Sequence, residues 1–90
     1  MRLVWRAMAL SDRELIMDHI AADNPEAAIA LDEAFESKAR KAQYSPTMYK
    51  AGRFPGTHEI VVRPNYLMIY RVMEDCVEII RVLHARQQWP

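Results

Sequence analysis

Alternation between apolar and polar positions marks the first element of the chain. In residues 2–6 the side chains of Leu3 and Trp5 fall on one side, as in a short strand with one buried face. From Ser11 the spacing of apolar residues lengthens from that of a strand to that of a helix. Ser11-Asp12-Arg13-Glu14 matches a capping box, in which the serine and glutamate side chains each accept a hydrogen bond from a backbone N–H at the start of a helix. We therefore expect a strand at residues 2–6 and a helix that begins at Ser11.

Apolar residues at helical spacing predict two helices. The first should end near Asp23 and bury a stripe formed by Leu15, Ile16, His19 and Ile20. Asn24-Pro25-Glu26 starts the second, because Asn caps well, Pro suits the first helical position and Glu suits the positive end of the helix dipole. Its predicted buried stripe is Ala28, Leu31, Phe35, Ala39 and Ala42. With almost no linker between them, the helices should form an antiparallel hairpin.

The second half of the chain has the pattern of a loop followed by strands. Pro and Gly interrupt residues 44–56, and β-branched and aromatic runs follow at Glu59–Arg63, Tyr66–Met73 and Val77–Leu83. Short turns between the runs predict an antiparallel meander. The whole pattern indicates one α+β domain over residues 1–90, with a helical hairpin on one face of a four-stranded sheet and the first strand pairing within the meander.

Charge and cysteine content narrow the classes of function. Twelve basic residues balance twelve acidic ones, whereas a protein that binds nucleic acid through phosphates normally carries a basic excess. Residues 44–90 are mildly basic, with six Lys/Arg against four Asp/Glu. Cys76 is alone and the three histidines are scattered, so we expect no disulfide, metal site or cofactor. The charged N-terminal run predicts neither a signal peptide nor a membrane span, which favours the cytoplasm.

Two stretches of the sequence carry a family resemblance. Gly56-Thr57-His58-Glu59-Ile60-Val61-Val62, running on to Ile69-Tyr70-Arg71-Val72, and then Val77-Glu78-Ile79-Ile80-Arg81-Val82-Leu83-His84 resemble the C-terminal strands of RelE/ParE toxins. The helical hairpin opening at Asp23-Asn24-Pro25-Glu26 fits the N-terminal half of that superfamily. The resemblance implies the toxin of a bacterial type II toxin-antitoxin system, neutralised by a cognate antitoxin that folds over it.

The superfamily divides into two mechanisms. RelE-like members cut mRNA inside the ribosome, and ParE-like members inhibit DNA gyrase without that catalytic equipment. The last strand looks more like the ParE branch, and Leu67 follows Tyr66 where ribonuclease members tend to carry arginine. The zero net charge also differs from a protein that competes for ribosomal RNA. We therefore expect growth arrest through gyrase, with ribosome-dependent mRNA cleavage as the alternative. A third possibility is a decayed toxin that only binds its antitoxin and causes no growth defect.

Three residues are catalytic candidates if the chain is RelE-like. His84 would be a general acid, Arg86 would stabilise a cyclic phosphate transition state, and Glu59 would be a general base. The alternative interpretation of His84 and Arg86 is a polar strand end that is solvated or paired with a carboxylate. That choice depends on whether a base and a substrate lie within hydrogen-bond reach.

Other residues are candidates for binding the target or the antitoxin. Arg63, Arg71 and Arg81 come from successive strands. If alternation places two of them on one face, they would form a positive cluster for phosphate or an acidic antitoxin segment; otherwise they would form cross-strand pairs with Glu59 and Glu78. Tyr66 and Tyr70 share one face of the central strand and would offer a stacking surface if that face is open, or belong to the core if it is not. Trp89 is too apolar to stay free, so we expect it to dock on the fold or on an antitoxin.

Overall fold

A four-stranded sheet with two helices on one face forms the structure, a computed structural model that describes residues 1–90. The elements are β1 (Arg2–Trp5), α1 (Ala7–Ala21), α2 (Pro25–Tyr44), β2 (His58–Arg63), β3 (Tyr66–Val72) and β4 (Cys76–His84). The strand order is β1-β4-β3-β2; β1 runs parallel to β4, and the other neighbours are antiparallel. The predicted α+β architecture is confirmed, with the C-terminal meander intact and β1 added to its last strand.

The main core lies between α2 and the sheet. All five residues of the predicted α2 stripe are buried, and Asn24 caps the helix by accepting a hydrogen bond from the N–H of Ala27, so this prediction is confirmed. The sheet contributes Tyr66, Met68 and Tyr70 from β3, together with apolar residues of β2 and β4. This side is called the helix face, and the opposite side the far face.

The predicted start of α1 is wrong by about one turn. The helix begins at Ala7, and the backbone N–H of Leu10 already donates to the carbonyl of Arg6. No side chain caps it, because Arg6 still belongs to the sheet: its N–H donates to the carbonyl of Ile79. Good helix formers at residues 7–10 let the helix start directly from the strand, and Ser11 lies inside it.

The predicted apolar stripe of α1 is only partly correct. Ile16 and Ile20 are half-buried against the core, but Leu15 is 66% exposed and His19 is exposed as well. The fully buried residue of the helix is Ala9. A polar contact joins α1 to α2 instead. The guanidinium of Arg13 donates to the carboxylates of Asp32 and Glu36, and its Cζ lies 4.3 Å from the centre of the Trp5 ring.

Candidate functional site

The short length of β1 leaves one edge of β4 without a neighbouring strand. β1 pairs with β4 from Cys76 to Ile79 and then turns into α1. Beyond that point Asp12 of α1 replaces the missing strand, since its Oδ2 accepts from the backbone N–H of Val82 at 2.9 Å. The same carboxylate accepts from Arg81 Nε at 2.8 Å and Nη2 at 2.9 Å. One carboxylate therefore ties α1 to the open edge of β4.

A groove of about 550 Å³ lies next to this contact, between α1 and the ends of β3 and β4. Its α1 wall includes Ile16, His19 and Ile20, and its sheet wall includes Tyr66 and His84. The His84 ring packs edge-on against Tyr66, with ring centres 5.3 Å apart. The sequence prediction missed this groove, because it joins a helix and a strand that are distant in the chain.

His84 is held by its own strand end. Its Nδ1 accepts from the backbone N–H of Arg86 at 3.1 Å, and its backbone N–H donates to Oε1 of Gln87 at 2.8 Å. The Nδ1 atom therefore acts as an acceptor within the turn that follows β4. Arg86 itself is exposed and contributes only its backbone to this arrangement.

Glu59 lies on the other side of the sheet from His84. It pairs with Ile69, a member of the far-face cluster, whereas His84 pairs with Tyr66 of the helix-face core. Its carboxylate accepts from Arg53 Nε at 2.8 Å, Nη2 at 3.2 Å and the backbone N–H at 2.9 Å. Hydrogen bonding to Arg53 lowers the pKa of Glu59 below its ordinary value of 4.5. The structure therefore does not bring the three catalytic candidates together, and Glu59 is a weakened base.

This ion pair predicts acid sensitivity. Because the pKa of Glu59 is lower in the folded protein than in the unfolded chain, the pair stabilises the fold above the ordinary pKa of 4.5 and loses that contribution as pH falls through the lowered value. Urea unfolding of the wild type should show a free energy that drops between about pH 5 and pH 3. The Glu59→Gln variant should be less stable at neutral pH and show a shallower drop, and Arg53→Met should behave alike. Equal slopes in all three proteins would contradict this assignment.

Arg63, Arg71 and Arg81 do not form a positive cluster. Arg81 pairs with Asp12, Arg71 pairs with Glu78 at 3.1 Å, and Arg63 is exposed and donates to the carbonyl of Val62. A β-bulge in each strand pair, between Val61 and Arg63 and between Ile69 and Tyr70, shifts the register that would have aligned them. Of the cross-strand pairs considered from the sequence, the one with Glu78 is present and Glu59 is taken by Arg53.

Tyr66 and Tyr70 do not form an open stacking surface. Both are buried on the helix face, at 8% and 0% exposure, because α2 covers that face of the sheet. The Tyr70 hydroxyl donates to the carbonyl of Pro46 at 2.6 Å, and its ring stacks on His58 with centres 4.9 Å apart. Burial raises the pKa of Tyr70 to about 12. These tyrosines fix the core and the loop before β2.

Trp89 docks on the far face of the protein's own sheet. It covers a small cluster made of Leu67, Ile69 and Leu83, and its ring packs edge-on against Phe54 with centres 5.8 Å apart. The C-terminal tail and the loop before β2 thus close one half of the far face. The other half, around Arg71 and Glu78, remains open.

Comparison with known proteins places the chain in a family. The family model described as ParE toxin of type II toxin-antitoxin system, parDE, matches residues 3–89. This chain belongs to the ParE toxin family. A relative from Sinorhizobium fredii, named Putative toxin Y4kP, is 33% identical over 90 residues, which cover 99% of the chain and 93% of that protein. The chain is therefore the toxin component of a type II toxin-antitoxin system.

Solved structures share the fold. A structure titled Chromosomal ParDE TA system from P. aeruginosa matches with a TM-score of 0.82 and 20% identity over 93% of this chain and 95% of that one. A YoeB/ParE toxin from Agrobacterium tumefaciens matches with a TM-score of 0.69 and 18% identity over 93% and 98% of the two chains. None of the helices of this ParE toxin combines the length and apolar content needed to cross a bilayer.

Proposed function

We propose that this ParE toxin arrests bacterial growth by binding and inhibiting DNA gyrase, and that its cognate antitoxin neutralises it. The observation that carries the proposal is the match to ParE toxins over residues 3–89. The side-chain arrangement supports it. Glu59 and His84 lie on opposite faces of the sheet, and Arg81 is held by Asp12, so these groups do not converge on one reacting phosphate.

A binding mechanism suits the charged side chains of the sheet. Arg53, Arg71 and Arg81 each donate to a carboxylate of the same chain, and the whole protein carries no net charge. A surface of this kind has little general attraction for phosphate backbones, whose binding draws on unmatched Lys and Arg. Recognition then depends on shape and on a few exposed groups, among them Arg63.

A supercoiling assay tests the proposal directly. Purified toxin added to gyrase, ATP and relaxed plasmid should slow supercoiling as its concentration rises, and preincubation with the co-encoded antitoxin should restore the rate. A topoisomerase I relaxation reaction, run at the same toxin concentrations, controls for nonspecific effects on the plasmid. Undiminished supercoiling at a tenfold molar excess of folded toxin over gyrase would contradict the proposal.

Expression in cells separates gyrase from the ribosome. Induction should raise a DNA-damage reporter before protein synthesis falls, whereas a ribonuclease would stop translation first. Because inhibition by binding requires no proton transfer, the double variant His84→Ala/Arg86→Ala should still raise the DNA-damage reporter. A wild-type protein that stops translation, combined with a double variant that leaves translation running, would instead identify the RelE-like activity.

A further inference from the structure

One ion-pair cluster of the toxin holds more positive than negative charge. In the pairs formed by Arg2, Arg13, Arg53 and Arg81, each guanidinium has at least one carboxylate of its own. The remaining cluster is different, because two arginines share the single carboxylate of Glu78. It lies on the open half of the far face, where the neighbouring residues of β1, β4 and β3 in register are Val4, Glu78 and Arg71.

Both guanidiniums converge on the same oxygen atom. Arg71 Nη2 lies 3.1 Å from Oε1 of Glu78, and Arg6 Nε lies 3.6 Å from that atom. The Glu78 side chain is 18% exposed, while Arg6 and Arg71 are 50% and 40% exposed. Two cations held this close repel each other, and one carboxylate neutralises only half of their charge. The cluster, called the Arg6–Glu78–Arg71 triad, therefore favours a second anion.

Hydrogen-bond donors are also left over in the triad. Arg71 Nε is buried and has no acceptor, and Arg71 makes a single side-chain hydrogen bond, through Nη2 to Glu78. A guanidinium presents five N–H donors in a fixed plane, which suits it to take a carboxylate with two parallel bonds. Both side chains are partly exposed, so guanidinium N–H groups other than the buried Nε of Arg71 are the ones that can bond an approaching carboxylate.

We propose that the Arg6–Glu78–Arg71 triad is the binding site for a carboxylate of an acidic side chain of the cognate antitoxin. The proposal rests on the antitoxin part of the proposed function and not on gyrase as the target. A protein side chain fits better than a phosphate backbone, because the triad lacks a single negative charge and the chain carries no net charge to draw in a polyanion. Val4 and Ile80 of the same sheet are half-buried and give the partner an apolar surface beside the triad.

Calorimetric titration of the purified toxin with its co-encoded antitoxin tests whether the triad binds an antitoxin carboxylate. Arg71→Met keeps the length and apolar stem of the side chain but removes the charge, and should weaken binding by about ten- to a hundredfold, as for loss of a charge-assisted hydrogen bond. Arg6→Met, at the end of β1 and outside the sheet interior, should weaken it by a similar factor. Arg2→Met is the matched control: that arginine is exposed on β1 and paired with Asp75, so the affinity should change by less than about twofold.

The Glu78→Gln variant gives a result of opposite sign. Removing the internal carboxylate frees both arginines, so the antitoxin should bind more tightly by a few fold, and the affinity should depend more steeply on salt. A structural role for the triad predicts the reverse, because Glu78→Gln would then weaken binding as Arg71→Met does. Thermal melts establish that each variant is folded before titration.

Three outcomes would contradict the proposed carboxylate site. The first is an Arg71→Met or Arg6→Met variant that binds antitoxin within twofold of the wild type. The second is weaker binding by Glu78→Gln. The third is loss of affinity for a duplex DNA probe in the arginine variants with antitoxin affinity unchanged, which would make the triad a phosphate site. Gyrase is absent from these titrations, so a failure of the gyrase assay leaves their result unaffected.

Discussion

The Asp12→Ala variant should have a free energy of unfolding about 2–4 kcal/mol lower than that of the wild type. The substitution leaves the Arg81 guanidinium and the backbone N–H of Val82 without their acceptor at the open edge of β4. The carboxylate is 11% exposed and the Arg81 side chain 23%, so water replaces the lost bonds only in part. The total free energy of unfolding of a small domain is about 5–15 kcal/mol, so this loss is a large fraction of the stability.

Urea denaturation followed by circular dichroism measures that difference. Asp12→Asn should lose about half as much, because the amide oxygen can still accept from Val82 but the charge opposite Arg81 is gone. Asp18→Ala, an exposed carboxylate on the same helix, should stay within about 0.5 kcal/mol of the wild type. If Asp12→Ala and Asp18→Ala unfold at the same urea concentration, Asp12 does not anchor α1 to β4.

Phe35→Ala should lower the free energy of unfolding by about 3–5 kcal/mol, a larger loss than that expected for Asp12→Ala. Phe35 is completely buried at the centre of the α2 stripe, and its ring packs edge-on against Tyr66 with centres 6.2 Å apart. Alanine would remove that contact and leave a cavity between helix and sheet, since the buried alanines at 28, 39 and 42 are too small to fill it.

The expected result is a protein that loses its cooperative thermal transition or melts far below the wild type. Phe35→Leu keeps most of the volume and should cost less, about 1–2 kcal/mol. Ile29→Ala provides a control on the same helix, because Ile29 is 53% exposed and its truncation should have little effect. A Phe35→Ala variant as stable as Ile29→Ala would show that α2 does not pack on the sheet as described.

The two helices differ in how much of them the sequence predicts. In α2 the cap, the proline and the apolar spacing agree, and both the start of the helix and its buried stripe are confirmed. In α1 the local signal at Ser11 is outweighed by the strand before it, because Arg6 completes a hydrogen bond to β4 and the helix follows at once. A capping motif reports only on its own few residues, whereas the start of α1 depends on a strand more than seventy residues away.

The site residues were harder to predict for the same reason. Whether Arg81 is free or bound depends on Asp12, and whether Glu59 can act as a base depends on Arg53. Alternation along a strand gives the face of a residue only while the register is regular, and a bulge interrupts it in both antiparallel pairs. The pairing of Arg71 with Glu78, by contrast, follows from neighbouring strands joined by a short turn, and the sequence predicts it as the alternative to a positive cluster.

The position of β4 has a consequence for biosynthesis. It lies between β1 and β3 and is the last of the four strands to be synthesised, so β1 has no pairing partner until β4 has been made. Contacts between the two ends of a chain also form slowly, because a long loop must close first. The sheet and α1, which packs on β4, should therefore reach their native arrangement together, only after β4 has been made.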